Sequence, residues 1–271
     1  MGINLYEVID VDKHYEKHHT KPPSLFNTLT ELPRTLVEMG SLFTSFPLLS
    51  KLPKGDLHPV LLLPGFMASD DSTLMLRRYL LRMGYEPLPW SLGRNTGNLE
   101  LFETRLTERF RQLSKTYPGK ISIIGQSLGG VYARDLAHRF PDKIRQVITL
   151  GSPFRSMAAG ATSPIVTELF KRQSGMSIEE MRVKLEDINA HKSPGVPTTA
   201  IFSKGDGVVN WRVCLEGDGD QTESIEIRGS HCGMGFNPLI YCIVADRLSL
   251  PENEWQSFDH SKLKKFSSCV F

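Results

Sequence analysis

Several short apolar runs, each separated from the next by a segment of helical spacing, constrain this chain more than any other feature. Val60-Leu61-Leu62-Leu63, Ile121-Ser122-Ile123-Ile124, Val147-Ile148-Thr149-Leu150 and Thr199-Ala200-Ile201-Phe202 are too short for helices and carry little polar alternation. Runs of that kind suit strands buried on both faces, as in a parallel sheet. Between them, residues 70–83, the set Leu99, Phe102, Leu106, Phe110 and Leu113, and the set Leu128, Tyr132, Leu136 and Phe140 recur at helical intervals. Further strands are expected at 85–90 and 225–228, and Leu239, Ile240, Ile243, Val244 and Leu248 predict a closing helix. The pattern predicts an α/β fold, a mostly parallel central sheet with helices on both faces. Parallel strands end on a common edge, and loops leaving that edge gather reactive groups.

Two segments break the rhythm. Leu25, Leu29, Leu32, Leu36 and Met39 recur every three or four residues, so residues 1–57 are expected to form a helical extension packing on the core, with Pro33 as a point of interruption. An outward-facing stripe would instead suit a membrane surface or a partner. Residues 58–271 then form the main domain, with an insertion at about 153–195. Its two predicted helices, near 164–173 and 177–188, are expected to form a cap over the reactive edge rather than only to extend the core.

The chemistry centres on Gly125-Gln126-Ser127-Leu128-Gly129, which follows a predicted strand and opens a predicted helix. A sharp strand–turn–helix of this type exposes a serine hydroxyl as a nucleophile, and a Cβ at either flanking glycine would strike the neighbouring element. Serine needs a base, and the base needs an orienting acid. His231 lies between a strand and the last helix, whereas His138 falls inside a helix and is expected at the surface, His191 in the cap and His260 in the tail. Asp206, after the strand at 198–203, is the leading acid; Asp218 and Asp220 sit in what reads as an exposed hairpin connection. The oxyanion of an acyl-transfer intermediate would be met by the N–H groups of Leu128 and of Phe66, the latter in the turn after the first strand.

With Pro64-Gly65-Phe66, Gly125 through Gly130, Thr149-Leu150-Gly151-Ser152-Pro153, Asp206-Gly207 and Ser230-His231, residues 58–250 resemble the α/β-hydrolase superfamily and its bacterial lipases and esterases. The likeness lacks the first two strands of the larger fold and shows Pro64-Gly65 where many lipases have His-Gly. The resemblance implies hydrolysis of a carboxylic ester through an acyl-enzyme, without metal or organic cofactor. The expected substrate is a hydrophobic or lipid-like acyl ester, with transient contact with a membrane or lipid surface as a further expectation. A lipase-related acyltransferase or thioesterase would use the same residues, and a non-catalytic binding module would keep only the fold.

Thirty-two Lys and Arg against 30 Asp and Glu leave no electrostatic case for nucleic acid. The early charges Glu7, Asp10, Asp12 and Lys13 interrupt any signal-peptide core, so a cytoplasmic location is expected. Cys214 and Cys232 are expected to lie near each other as free thiols rather than as a bridge.

Overall fold

The computed structural model describes residues 21–156, 160–217 and 219–270. The apolar runs become strands: β1 Pro59–Leu63, β2 Glu86–Pro89, β3 Ile121–Gln126, β4 Ile144–Leu150, β5 Thr198–Phe202 and β6 Thr222–Glu226. They form one sheet in the order β2-β1-β3-β4-β5-β6, and every neighbouring pair is parallel. The connection carrying Asp220 therefore joins parallel strands and is not a hairpin, although Asp220 is exposed as expected; Asp218 lies outside the described residues.

Successive strand residues point to opposite faces, and each face has its own apolar layer. Leu61 and Leu63 pack with Leu106, Phe110 and Leu113 of one helix, Leu99–Thr116, and with Leu128, Val131 and Leu136 of another, Leu128–Arg139. Val60 and Leu62 pack on the other face with Leu76, Tyr79 and Leu80 of Leu74–Arg82 and with Ile240, Ile243 and Val244 of Pro238–Leu248. Each such side chain, fully buried, contributes roughly 1.5–3 kcal/mol.

In chain order the helices are α1 Leu25–Leu29, α2 Glu31–Leu49, α3 Leu74–Arg82, α4 Leu99–Thr116, α5 Leu128–Arg139, α6 Pro164–Ser174, α7 Ile178–Asp187, α8 Pro238–Leu248 and α9 Ser261–Val270. The break in the N-terminal helix falls at Thr30, not at Pro33, which sits in the first turn of α2 where its missing N–H costs nothing. Residues 1–20 of the predicted extension lie outside the described residues.

The expected leucine stripe does not face the core. Leu25, Leu29, Leu32 and Leu36 are each about two-thirds exposed, as are Phe26, Val37 and Phe43. The inward face of α2 is Glu31, Glu38, Leu42, Ser45 and Leu49. At 100° per residue the two sets lie on opposite sides of the helix. The inner face begins with carboxylates rather than leucines because it meets loop backbone first and the apolar layer only from Leu42 on.

Helices α6 and α7 occupy the inserted segment. Phe170, Met181 and Leu185 join the apolar layer around α5, so this segment extends the core on that face. It is tied down by Arg134 of α5, fully buried, which donates to the carbonyls of Ala190 (2.6 Å) and Lys192 (2.7 Å) and pairs with Glu216. Met157 lies outside the described residues.

Candidate active site

Neighbouring strands β1 and β3 send the chain to opposite sides, β1 to β2 and β3 to β4, with the α3 and α5 crossovers on opposite faces. A crevice at the strand ends follows from that reversal, and Phe66 and Ser127 both sit there.

Ser127 is the hinge between β3 and α5, with φ 51° and ψ −122°. That geometry costs a non-glycine residue roughly 1–3 kcal/mol and persists only where its surroundings enforce it. Here its N–H donates to Leu150 O at 2.8 Å on β4, while its carbonyl accepts from Gly130 N–H at 2.9 Å. The expected need for glycine on both sides holds in detail. A Cβ on Gly125 would lie 2.4 Å from the Gly129 carbonyl oxygen, and one on Gly129 would lie 2.3 Å from that of Leu63. Strand and helix approach too closely for any side chain.

Asp206 and His231 arrive from the ends of β5 and β6. His231 Nδ1 and Asp206 Oδ2 are 2.6 Å apart, and both residues are buried. The other oxygen, Oδ1, accepts from the N–H groups of Val208 (2.8 Å) and Val209 (2.7 Å), which fixes the plane of the carboxylate. Burial works to lower the His231 pKa, but the Asp206 charge, its hydrogen bond and the charge of Glu31 outweigh it and hold the imidazole above its ordinary value.

Ser127 reaches the histidine loop through backbone neighbours. Gln126 Nε2 donates to the His231 carbonyl at 3.1 Å. Gly151, next to the Leu150 that binds the Ser127 N–H, leaves room where a Cβ would lie 3.1 Å from His231 Nδ1. No hydrogen bond joins the Ser127 hydroxyl to the imidazole itself. Such bonds often close only with substrate in place.

The turn after β1 backs onto the serine: a Cβ on Gly65 would lie 3.2 Å from Ser127 Cβ. Asn95, fully buried, holds this turn by donating to the Pro64 carbonyl (3.0 Å), while its own carbonyl oxygen on the main chain accepts from Met67 N–H (2.6 Å). Leu128 opens α5, with its N–H at the positive end of the helix. Phe66, Ser127 and Leu128 line a narrow cleft whose remaining walls are Pro153, Thr162, Val166, Phe170, Val208 and Val209. Val166 and Phe170 come from α6, so the inserted segment roofs the serine with apolar surface.

Among the described residues the other histidines stay apart from this arrangement. His191 is exposed, and His138 is half-buried against residues 189–192 rather than at the surface. Cys214 is buried and Cys232 exposed, and each is a free thiol. Among the described residues no group of His, Cys, Asp and Glu could hold a metal ion, and no helix is long and apolar enough to cross a membrane.

Two features of the site escaped the sequence: Asn95, and the carboxylates Glu31 and Glu38 of α2. Glu38 accepts from Ser230 N–H at 2.8 Å beside His231, and burial pushes its pKa up. Asn95 sits in a polar stretch and the two glutamates in a leucine-rich one, none of them with motif spacing. The one available signal is two glutamates seven residues apart in a segment otherwise almost free of acids.

The arrangement has the α/β-hydrolase fold. Among solved structures the chain is similar to lipase B of Aspergillus fumigatus, with TM-score 0.58, 17% identity, and coverage of 80% of this chain and 58% of that one. It is also similar to the Paleococcus ferrophilus monoacylglycerol lipase, with TM-score 0.55, 14% identity and coverage of 73% and 96%. A third likeness is to a structure described under LipS and LipT, two metagenome-derived lipolytic enzymes, with TM-score 0.53, 14% identity and coverage of 72% and 93%. No protein-family model matches the chain. Among curated proteins it matches the biotin biosynthesis bifunctional protein BioHC of Teredinibacter turnerae, 43% identical over 47 residues. That match takes in 17% of this chain and spans 8% of the relative's length.

Proposed function

We propose that this protein is a serine hydrolase of hydrophobic carboxylic esters, with Ser127 as nucleophile, His231 as base and Asp206 as the group that orients it. The observation that carries the reading is the strained Ser127 at a sheet edge shared with the buried Asp206–His231 pair. His231 Nε2 takes the hydroxyl proton as Ser127 Oγ bonds to the ester carbonyl carbon. The carbonyl π pair moves onto oxygen, facing the N–H groups of Phe66 and Leu128. Collapse expels the alcohol, which leaves with the proton from His231, and water repeats the sequence to free the acid. The apolar roof of Val166 and Phe170 suits an acyl chain.

Ser127→Ala is expected to abolish p-nitrophenyl acyl ester cleavage, and a fluorophosphonate is expected to label Ser127 in the unaltered chain. Full activity in the variant, or a chain that resists the label, overturns the reading. Free acid as the sole product in the presence of alcohol acceptors separates hydrolysis from acyl transfer. A cytoplasmic site goes with the free thiols Cys214 and Cys232.

A lipid surface is the partner we propose for the outward face of α1 and α2. Its leucines and phenylalanines are exposed, while the two acids of the segment, Glu31 and Glu38, are turned inward. Exposed Lys21, Lys51 and Lys54 stand at its ends. An apolar stripe flanked by cations and free of exposed acids fits an anionic bilayer. Thr28 of α1 donates to the Gly207 carbonyl at 2.6 Å, beside the Val208 that lines the cleft, so the stripe adjoins the substrate entrance. Flotation with phosphatidylglycerol vesicles is expected to carry the protein up, and Leu32→Ser with Leu36→Ser to leave it at the bottom. Equal flotation of both proteins, or a dimer that the same substitutions dissociate, overturns the lipid assignment.

A further inference from the structure

Glu31 opens α2, far in sequence from both the acid and the base, yet its carboxylate ends between them. Oε1 accepts from the backbone N–H of Gly207 (2.8 Å) and of His231 (3.1 Å), and from Arg34 Nη2 (3.0 Å). Oε2 accepts from Cys232 N–H at 2.9 Å. Gly207 directly follows Asp206, so one buried carboxylate spans the loop of the acid and the loop of the base.

Arg34 completes the brace from the opposite polarity. Its Nη1 donates to the Gly205 carbonyl at 2.7 Å and, more weakly, to that of Gly229 at 3.4 Å. The carboxylate thus gathers N–H groups, and the guanidinium gathers carbonyls, from the same two loops. The fit is close: a Cβ on Gly207 would lie 2.4 Å from the backbone of Asn27. Burying a charge is costly unless hydrogen bonds satisfy it. Apolar contacts through Leu42 and Leu49 already hold the C-terminal half of α2. They leave the buried carboxylate at its N-terminal end without a packing role.

We infer that Glu31 is a positioning residue of the active site, fixing the relative placement of the Asp206 and His231 loops from outside the sheet. The inference rests on the Ser127 hydrolase reading. The groups facing His231 are Asp206 from β5, Glu31 from α2 with Arg34 behind it, Glu38 from the next turns, Cys232 beside it, and the elbow with Ser127. Glu31 is the member whose charge favours the imidazolium without sharing its proton.

The test uses the full chain with Glu31→Ala and Glu31→Gln. Loss of the brace is expected to lower kcat about tenfold or more, as small displacements of catalytic groups do, with KM changed less than about twofold. Glu31→Gln, which keeps one acceptor oxygen, is expected to recover part of kcat. It is also expected to move the His231 titration, read by NMR, to lower pH, because the neutral amide no longer favours the imidazolium. An unchanged kcat together with an unchanged His231 titration overturns the inference. Should Glu31→Ala fail to fold, Arg34→Met removes the carbonyl half of the brace, and wild-type kcat there counts equally against it. The NMR titration does not depend on activity, so a chain that fails to react with a fluorophosphonate at Ser127 defeats the hydrolase reading and leaves the brace to be judged by the titration.

Discussion

The N-terminal helices and the inserted helices flank the same cleft and are anchored by opposite means. Helices α6 and α7 turn apolar side chains inward, with Phe170, Met181 and Leu185 buried, and keep Arg182 outside with Glu179 and Glu186. Helices α1 and α2 put Glu31, Arg34, Thr35 and Glu38 against the protein over their first turns and show leucines to solvent. The reason lies in what each meets. The inserted helices cover side chains of α5 and β4, which hydrophobic contact can grip. The N-terminal helices cover the backbone of two loops, whose N–H and carbonyl groups demand polar partners.

The comparison can be broken at several points. The largest expected effect on stability is at the buried ion pair on the insertion side. Replacing Arg134 or Glu216 by Ala leaves an uncompensated buried charge and should cost about 3–5 kcal/mol in denaturant unfolding. A loss below 1 kcal/mol in both would show that the pair is not what holds residues 190–192. Phe170→Ala comes next, at about 3 kcal/mol from lost burial and the cavity left behind. It should also raise KM for long acyl esters more than for acetyl esters, since Phe170 walls the cleft.

The pH profile tests the electrostatics of the N-terminal side. On the proposed mechanism His231 acts as base in its neutral form, so kcat/KM should rise with pH through its pKa. The neighbouring carboxylates hold that pKa above 6.5, which places the acid limb above 6.5 as well. A limb clearly below 6.5 would mean that desolvation wins. The smallest effect belongs to the outward stripe: Leu32→Ser with Leu36→Ser should change stability by no more than about 0.5 kcal/mol per site, because neither side chain is buried. A larger loss would place those leucines in a core after all.

The elbow was the most legible part of the chain. Gly125, Ser127 and Gly129 are dictated by local geometry, since two glycines and a strained serine are needed wherever a strand turns this sharply into a helix. Asp206 and His231 followed because each stands directly after a strand run, and parallel strands share an edge. The stripe of leucines at 25–39 misled, because helical spacing reports that a face is apolar and not which way it is turned.

By itself, then, the sequence determined the strand runs of the parallel sheet, the elbow at Ser127 and the placing of Asp206 and His231 after strand runs, each of which depends on neighbours a few residues apart. Only the tertiary structure decided that Asn95 holds the turn carrying Phe66, that Arg134 ties down the insertion, and that Glu31 closes on Gly207 and His231. Those are contacts between segments tens to hundreds of residues apart, made by polar groups whose partners are backbone atoms. Backbone N–H and carbonyl groups are the same at every residue, so no side-chain pattern announces which of them a distant carboxylate will find.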